Sequence, residues 1–236
     1  MSSTRALAQL RDLGVQVFAT ADAQALFGGT TARASKTLSR LAEARLLFPV
    51  RRGLWSLSKT LDPLALVESL SAPAPGYVSL QTALYRRGVI EQIPAVIYAT
   101  TTGKPQRIVS NFGTFSIHRI APELFGGFEV LAGGVKLATA EKALVDFLYL
   151  SGSRSRSFAA LPEIELPPGF DVKEASRWIL RIASPRLKTL VLTRWARWVE
   201  PQIQRRRPRF SAGNSNGSRS PISSLMVSGR FEKRER

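Results

Sequence analysis

The chain has 236 residues, 44% of them hydrophobic, with twelve Phe and four Trp, enough apolar material for one or two globular cores and too much for disorder throughout. Its 34 Lys and Arg against 17 Asp and Glu leave a formal charge of +17, which favours a polyanionic partner, nucleic acid before an anionic membrane. Cys is absent and His118 is the single histidine, so disulfides, thiolate metal sites and a histidine metal cluster are excluded.

In chain order, Ala6, Leu7, Leu10 and Leu13 recur at helical spacing and predict a first helix ended by Gly14. Arg5, Arg11 and Asp12 charge that helix, and no apolar run is long enough to cross a bilayer, so a secretion leader and membrane contact are not expected and the cytoplasm is. Val15, Val17 and Phe18 predict a short strand. A short helix over 20–27, a Gly28-Gly29 turn and a second helix over 31–45 follow. In the second helix Ala34, Leu38, Leu41 and Ala42 make one apolar face, while Arg33, Lys36, Thr37 and Arg40 fall elsewhere on the cylinder. Thr30 or Thr31 caps it through a hydroxyl oxygen, and the helix end then favours a nearby phosphate.

Residues 47–57 predict two strands, with Gly53 in the turn and Arg51 and Arg52 near the tip. Phe48, Leu54 and Leu57 are expected to tuck this hairpin onto the helices, and Trp55 to pack rather than stack on bases. Together these elements read as a winged helix-turn-helix over about 1–62 that binds double-stranded DNA. Arginine reads guanine through O6 and N7, whereas phosphate contacts fix register only. The candidate DNA-contacting residues are Thr30, Thr31, Arg33, Lys36, Thr37, Arg40, Arg51 and Arg52, with Arg33 and Lys36 at base edges or adjoining phosphates and Arg40 on the backbone. The alternative is a small helical domain whose charges keep it in solution.

Asp62-Pro63 opens a helix over 64–70, and Ser71-Ala72-Pro73-Ala74-Pro75-Gly76 reads as a linker, so that 63–76 connects two domains. A helix capped by Ser79 is predicted over 77–84, stopping at Gly88. Strand composition marks 95–101 and 114–120, with turns at Gly103 and Gly113, and a hairpin is predicted for 129–131 and 135–137 around Gly133-Gly134. Thr139 then caps a helix to 150 whose apolar face is Ala143, Leu144, Phe147 and Leu148, and helices follow over 172–183 and 185–199. The fold class is α+β, with a mixed α/β domain over 77–200. Glu141, Lys142 and Asp146 read as exposed helix charges, Lys142 and Asp146 as an (i, i+4) pair. Residues 201–236 carry nine cations against two acids among Ser, Gly and Asn, a composition that buries too little to order itself; the alternative is a basic arm with nonspecific affinity for nucleic acid.

Asp171-Val172-Lys173, with Asp146 upstream, has the carboxylate-x-Lys form of some Mg²⁺-dependent nucleases, but two carboxylates and a lysine occur by chance in chains of this length. No phosphate-cradling glycine loop and no supported nucleophile set accompany them, so neither an enzyme nor a cofactor or metal is expected.

With both halves laid out, the chain resembles the AbiEi family of antitoxins and autorepressors from bacterial type IV toxin–antitoxin systems. The resemblance covers about residues 5–200 and rests on Arg51-Arg52-Gly53-Leu54-Trp55, on segment 77–84, and on Ala138-Thr139-Ala140-Glu141-Lys142-Ala143-Leu144-Val145-Asp146. It implies an N-terminal domain that binds inverted repeats in its own promoter and a C-terminal domain that neutralises a nucleotidyltransferase toxin, and it assigns no residue to neutralisation. The competing reading is a winged-helix regulator without a toxin partner.

Overall fold

The computed structural model describes residues 2–151 and 163–206. The chain begins with α1 (Ser3–Asp12), capped by Ser2 and burying Ala6 and Leu10, and turns at Gly14, whose φ of 70° a glycine adopts without strain. There follow β1 (Val17–Ala19), α2 (Thr20–Phe27), α3 (Thr31–Glu43), β2 (Phe48–Arg51) and β3 (Leu54–Ser56). The three helices pack around Ala6, Leu10, Ala23, Leu38, Leu41 and Leu47. The strands form an antiparallel sheet in the order β1-β3-β2, with Val17, Phe18 and Ala19 opposite Ser56, Trp55 and Leu54.

This small sheet has two apolar faces. Phe18 and Trp55, which lie opposite each other, join the helical core, whereas Val17, Leu54 and Val50 join a second, larger core built by the rest of the chain. The expectation that Leu54 tucks onto the helices is therefore corrected. Strand alternation turns Leu54 away from Trp55, and the face it lines is covered by the larger unit. Leu57 does pack on the helical core.

In the larger unit Asp62 caps a 3-10 turn at Pro63–Ala65, and then come α4 (Leu66–Ser71), β4 (Gly76–Val78), α5 (Leu80–Arg86), β5 (Ile97–Thr101), β6 (Gln106–Ser110) and β7 (Gly113–Arg119). β8 (Phe128–Val130), β9 (Lys136–Ala138), α6 (Ala140–Leu150), α7 (Val172–Leu180), α8 (Pro185–Trp198) and α9 (Glu200–Arg206) complete it. The strands make a mixed sheet in the order β6-β7-β5-β4-β9-β8, in which β5 and β7, and β4 and β9, are parallel. The described residues are thus a mixture of helices and sheets, α+β in class.

Several expectations change. The linker 71–76 is not a spacer: Ser71 ends α4, Gly76 begins β4, both are buried, and a Cβ on Gly76 would collide with Ser71 Oγ. Tyr77 and Val78 belong to strand β4 rather than to a helix, and Ser79 does not cap α5 through its side chain. β6 is an additional strand. At the C-terminal end, Glu200–Arg206 is helical, with Ile203 packed against the large core, so the tail boundary at 201 moves beyond Arg206. The expected disordered tail beyond that point lies outside the described residues.

Candidate nucleic-acid interface

The geometry of α3 follows from its spacing. Ala34, Leu38 and Leu41 are buried at i, i+4 and i+7. Arg33, Lys36, Thr37 and Arg40 stand at i, i+3, i+4 and i+7 of a different stripe, so all four share the outer side of the helix. The three cations are exposed and Thr37 is half-buried. Two of these side chains bond back to their own helix, the Thr37 hydroxyl donating to Arg33 O at 3.1 Å and Arg40 Nε to Lys36 O at 3.4 Å. Thr37 thereby spends its proton on the backbone, which leaves its oxygen as an acceptor.

Thr30 caps α3, its hydroxyl oxygen accepting the Arg33 N–H at 3.3 Å. Thr31 instead donates to Gln24 Oε1, and Gln24 Nε2 donates to Gly29 O at 3.3 Å, so one glutamine side chain on α2 holds both the turn and the start of α3. Gly28 and Gly29 have φ of 70° and 87°, the left-handed conformations that let two helices meet across so short a connection. Sequence reasoning missed Gln24. Its signal was present only as a polar residue near a glycine turn.

The hairpin presents Arg51 and Arg52 at its tip, both exposed, with Gly53 at φ 80° making the turn. The register of β2 on β3 shifts between Pro49 and Arg51, making Val50 the additional residue of a bulge that re-aims the strand just before the tip. Trp55 is half-buried in the helical core and its Nε1 donates to Thr20 Oγ1 at 2.9 Å, which ties the hairpin to the first residue of α2. That contact supports a packing role for the indole. Among the described residues, none of Arg33, Lys36, Arg40, Arg51 and Arg52 forms an ion pair with a carboxylate. Helix stripe and hairpin tip are thus two clusters of available positive charge on one small unit, linked through α2.

A second constellation lies in the larger unit, and here sequence reasoning is corrected. Lys142 and Asp146 do pair at (i, i+4), but both are fully buried, and Glu141 is 8% exposed. Asp146 Oδ1 takes the Lys142 ammonium, while Oδ2 accepts the Tyr77 phenol and the Ser79 hydroxyl, each at 2.8 Å. The Lys142 ammonium lies 5.5 Å from the Tyr77 ring centre and 4.9 Å from that of Trp178, a cation held between two aromatic faces. Burial pulls the Lys142 amine below its ordinary value and pushes the Tyr77 phenol well above its own, the negative charge of Asp146 adding to the latter. Glu141 Oε1 accepts the Asp171 N–H at 2.8 Å. None of the three is a solvated surface charge.

The carboxylate-x-Lys pattern has an equally local explanation. Asp171 caps α7, its Oδ1 accepting the Lys173 N–H at 2.7 Å, while both oxygens of Asp146 are committed inside the core. Among the described residues no group of His, Cys, Asp and Glu is arranged to hold a metal ion, and no helix is long and apolar enough to cross a membrane. No protein-family model matches the chain, and no curated protein does.

Proposed function

We propose that this chain is a DNA-binding antitoxin that represses its own promoter and counteracts a cognate nucleotidyltransferase toxin. The observation that carries the DNA-binding half is the stripe of Arg33, Lys36, Thr37 and Arg40 on the outer side of α3, its cations free of carboxylates among the described residues. In this reading α2 and α3 are a helix-turn-helix, α3 enters the major groove, and β2 and β3 are a wing whose Arg51 and Arg52 lie on the phosphate backbone. The formal charge of +17 adds a salt-sensitive, sequence-independent attraction.

The toxin-directed half rests on the resemblance to the AbiEi family. Its two C-terminal segments, 77–84 and 138–146, meet at Asp146, whose Oδ2 accepts the Tyr77 phenol and the Ser79 hydroxyl. No residue is assigned to neutralisation.

The test has two arms. Mobility shifts with duplex from upstream of the chain's own coding sequence, against random duplex of equal length, should show preferential binding that weakens with salt. Co-expression with a nucleotidyltransferase encoded beside it should abolish that enzyme's toxicity. Equal, weak affinity for both duplexes removes the repressor; promoter binding without rescue of growth leaves a regulator and removes the antitoxin.

A further inference from the structure

The small sheet β1-β3-β2 is covered on both sides. One face, Phe18 and Trp55, lies on the helices that carry the cationic stripe; the other, with Val50 and Leu54 at 2% and 7% exposure, is sealed into the core of the larger unit, where β2 lies against β6. The β2-β3 hairpin has β1 as its third strand, and its orientation is set by what covers the two apolar faces of that sheet. Here the cover behind the hairpin is the second unit. Val50 is also the bulge residue next to Arg51, so the side chain buried in that unit and the cation at the tip are neighbours in the chain.

From this arrangement we infer that Val50 and Leu54 are positioning residues for Arg51 and Arg52: the larger unit holds the hairpin cations in the orientation that meets DNA. The inference rests on the DNA-binding reading above and adds to it that the wing is not an autonomous reader. Its pose is a property of the whole chain. Anything that shifts β6 relative to β2 then alters DNA affinity without touching a DNA-contacting residue.

The physical reason is preorganisation. An arginine on a loosely held hairpin pays the ordering entropy on binding, and its phosphate contact becomes partial. A well-packed Val50 removes that cost beforehand. Removing its methyl groups loosens the hairpin without changing any charge, so a change in salt dependence reports a lost phosphate contact rather than a deleted cation.

The experiment uses the full chain with Val50→Ala, Leu54→Ala and the conservative Val50→Ile, plus Leu192→Ala as a control of similar burial on α8. Amide exchange across β2 and β3 is read together with affinity for promoter duplex over a salt series. Val50→Ala and Leu54→Ala should speed hairpin exchange, weaken binding about fivefold and flatten the salt slope by roughly one phosphate contact. Val50→Ile should restore both, and Leu192→Ala should lower thermal stability while leaving the slope alone. In an Arg51→Ala/Arg52→Ala background, Val50→Ala should have no further effect on the slope.

Folded Val50→Ala and Leu54→Ala proteins with wild-type exchange, affinity and slope overturn the inference and leave the DNA-binding reading standing. A wild-type chain with no salt-dependent duplex affinity overturns the DNA-binding reading and, with it, the DNA role of the hairpin, even where exchange shows Val50 holding the strand. If Val50→Ala fails to fold, Leu54→Ala and Val50→Ile decide between these results.

Discussion

The phenol of Tyr77 donates to Asp146 Oδ2 at 2.8 Å, and neither residue exposes any surface. With Ser79 on the same oxygen and Lys142 on the other, the carboxylate has a partner on each side. A buried charge is tolerated only on those terms, since an unpaired ion in the interior costs several kcal/mol. The contact joins β4 to α6 and helps explain the shape of the chain between them. Leu80, the first residue of α5, takes a φ of 55°, a left-handed conformation uncommon outside glycine, immediately after Ser79, whose hydroxyl donates to Asp146 Oδ2.

Replacing Asp146 with Asn keeps a hydrogen-bond acceptor for Tyr77 and Ser79 but leaves Lys142 as an unpaired buried cation. Asp146→Asn should cost about 3–5 kcal/mol, read as a lower urea midpoint at unchanged m. Lys142→Met added to it should recover part of the loss, because the stranded charge is gone. The Asn variant should also regain stability as pH rises: Lys142 has a lowered pKa when folded, so above that value the unfolded chain binds more protons than the folded one. A single-variant loss below about 1 kcal/mol, the scale of a solvated pair, would contradict burial of the pair.

Tyr77→Phe separates the phenol from the rest of the cluster. The folded phenol has a pKa well above 10.0, from burial first and the charge of Asp146 second. Above pH 10.0 the unfolded chain therefore loses this proton while the folded chain keeps it, and stability falls with rising pH. Lys142 acts in the opposite sense in the same range, so the informative quantity is the difference between wild type and variant. Tyr77→Phe should be less stable at neutral pH by roughly 1–3 kcal/mol for the acceptor left short of a donor, and that gap should narrow as the solution is made alkaline. A gap constant from pH 7 to 11 would mean that the phenol titrates equally in both states.

The N-terminal elements were legible because their signals are local. The glycine pair, the Thr30 cap and two interleaved stripes on one helix all lie within a few turns of chain, and α2 falls on the predicted residues 20–27. The buried cluster was not legible, because what buries Lys142 is Tyr77, Trp178 and the bare backbone at Gly127, where a Cβ would stand 2.8 Å from Lys142 Cγ. An (i, i+4) ion pair looks the same in sequence whether water or an indole lies over it. The Ala and Pro residues of 71–76 read as a spacer because composition records backbone stiffness but not which carbonyl is used: Thr101 Oγ1 donates to Pro75 O at 2.7 Å and locks the segment to β5. The hidden face of the hairpin was lost for a similar reason. Alternation places Leu54 opposite in sense to Trp55 but does not say that a second core waits there.

Arg33 is the candidate for base reading, since it stands in the first turn of α3, with its stem beside the side-chain-free Gly29. Arg33→Ala should cost roughly 1–3 kcal/mol on promoter duplex and relax base preference at one position, with a smaller loss on random duplex. Equal losses on both duplexes would make Arg33 a phosphate contact. Its helix neighbours Lys36 and Arg40 provide the comparison within the same stripe.

If the chain binds DNA as proposed, Arg51 and Arg52 should behave differently from Arg33, because a wing tip beside a groove meets phosphates before it meets bases. Arg51→Ala and Arg52→Ala should each weaken binding to promoter and random duplex alike and lower the slope of log K against log salt by about 0.9. The free chain gives no competing reason for a loss: both side chains are exposed and, among the described residues, neither pairs with a carboxylate, so removing them should leave thermal stability within about 0.5 kcal/mol of wild type. An unchanged slope in both variants would take the hairpin out of the interface and leave α3 to bind alone.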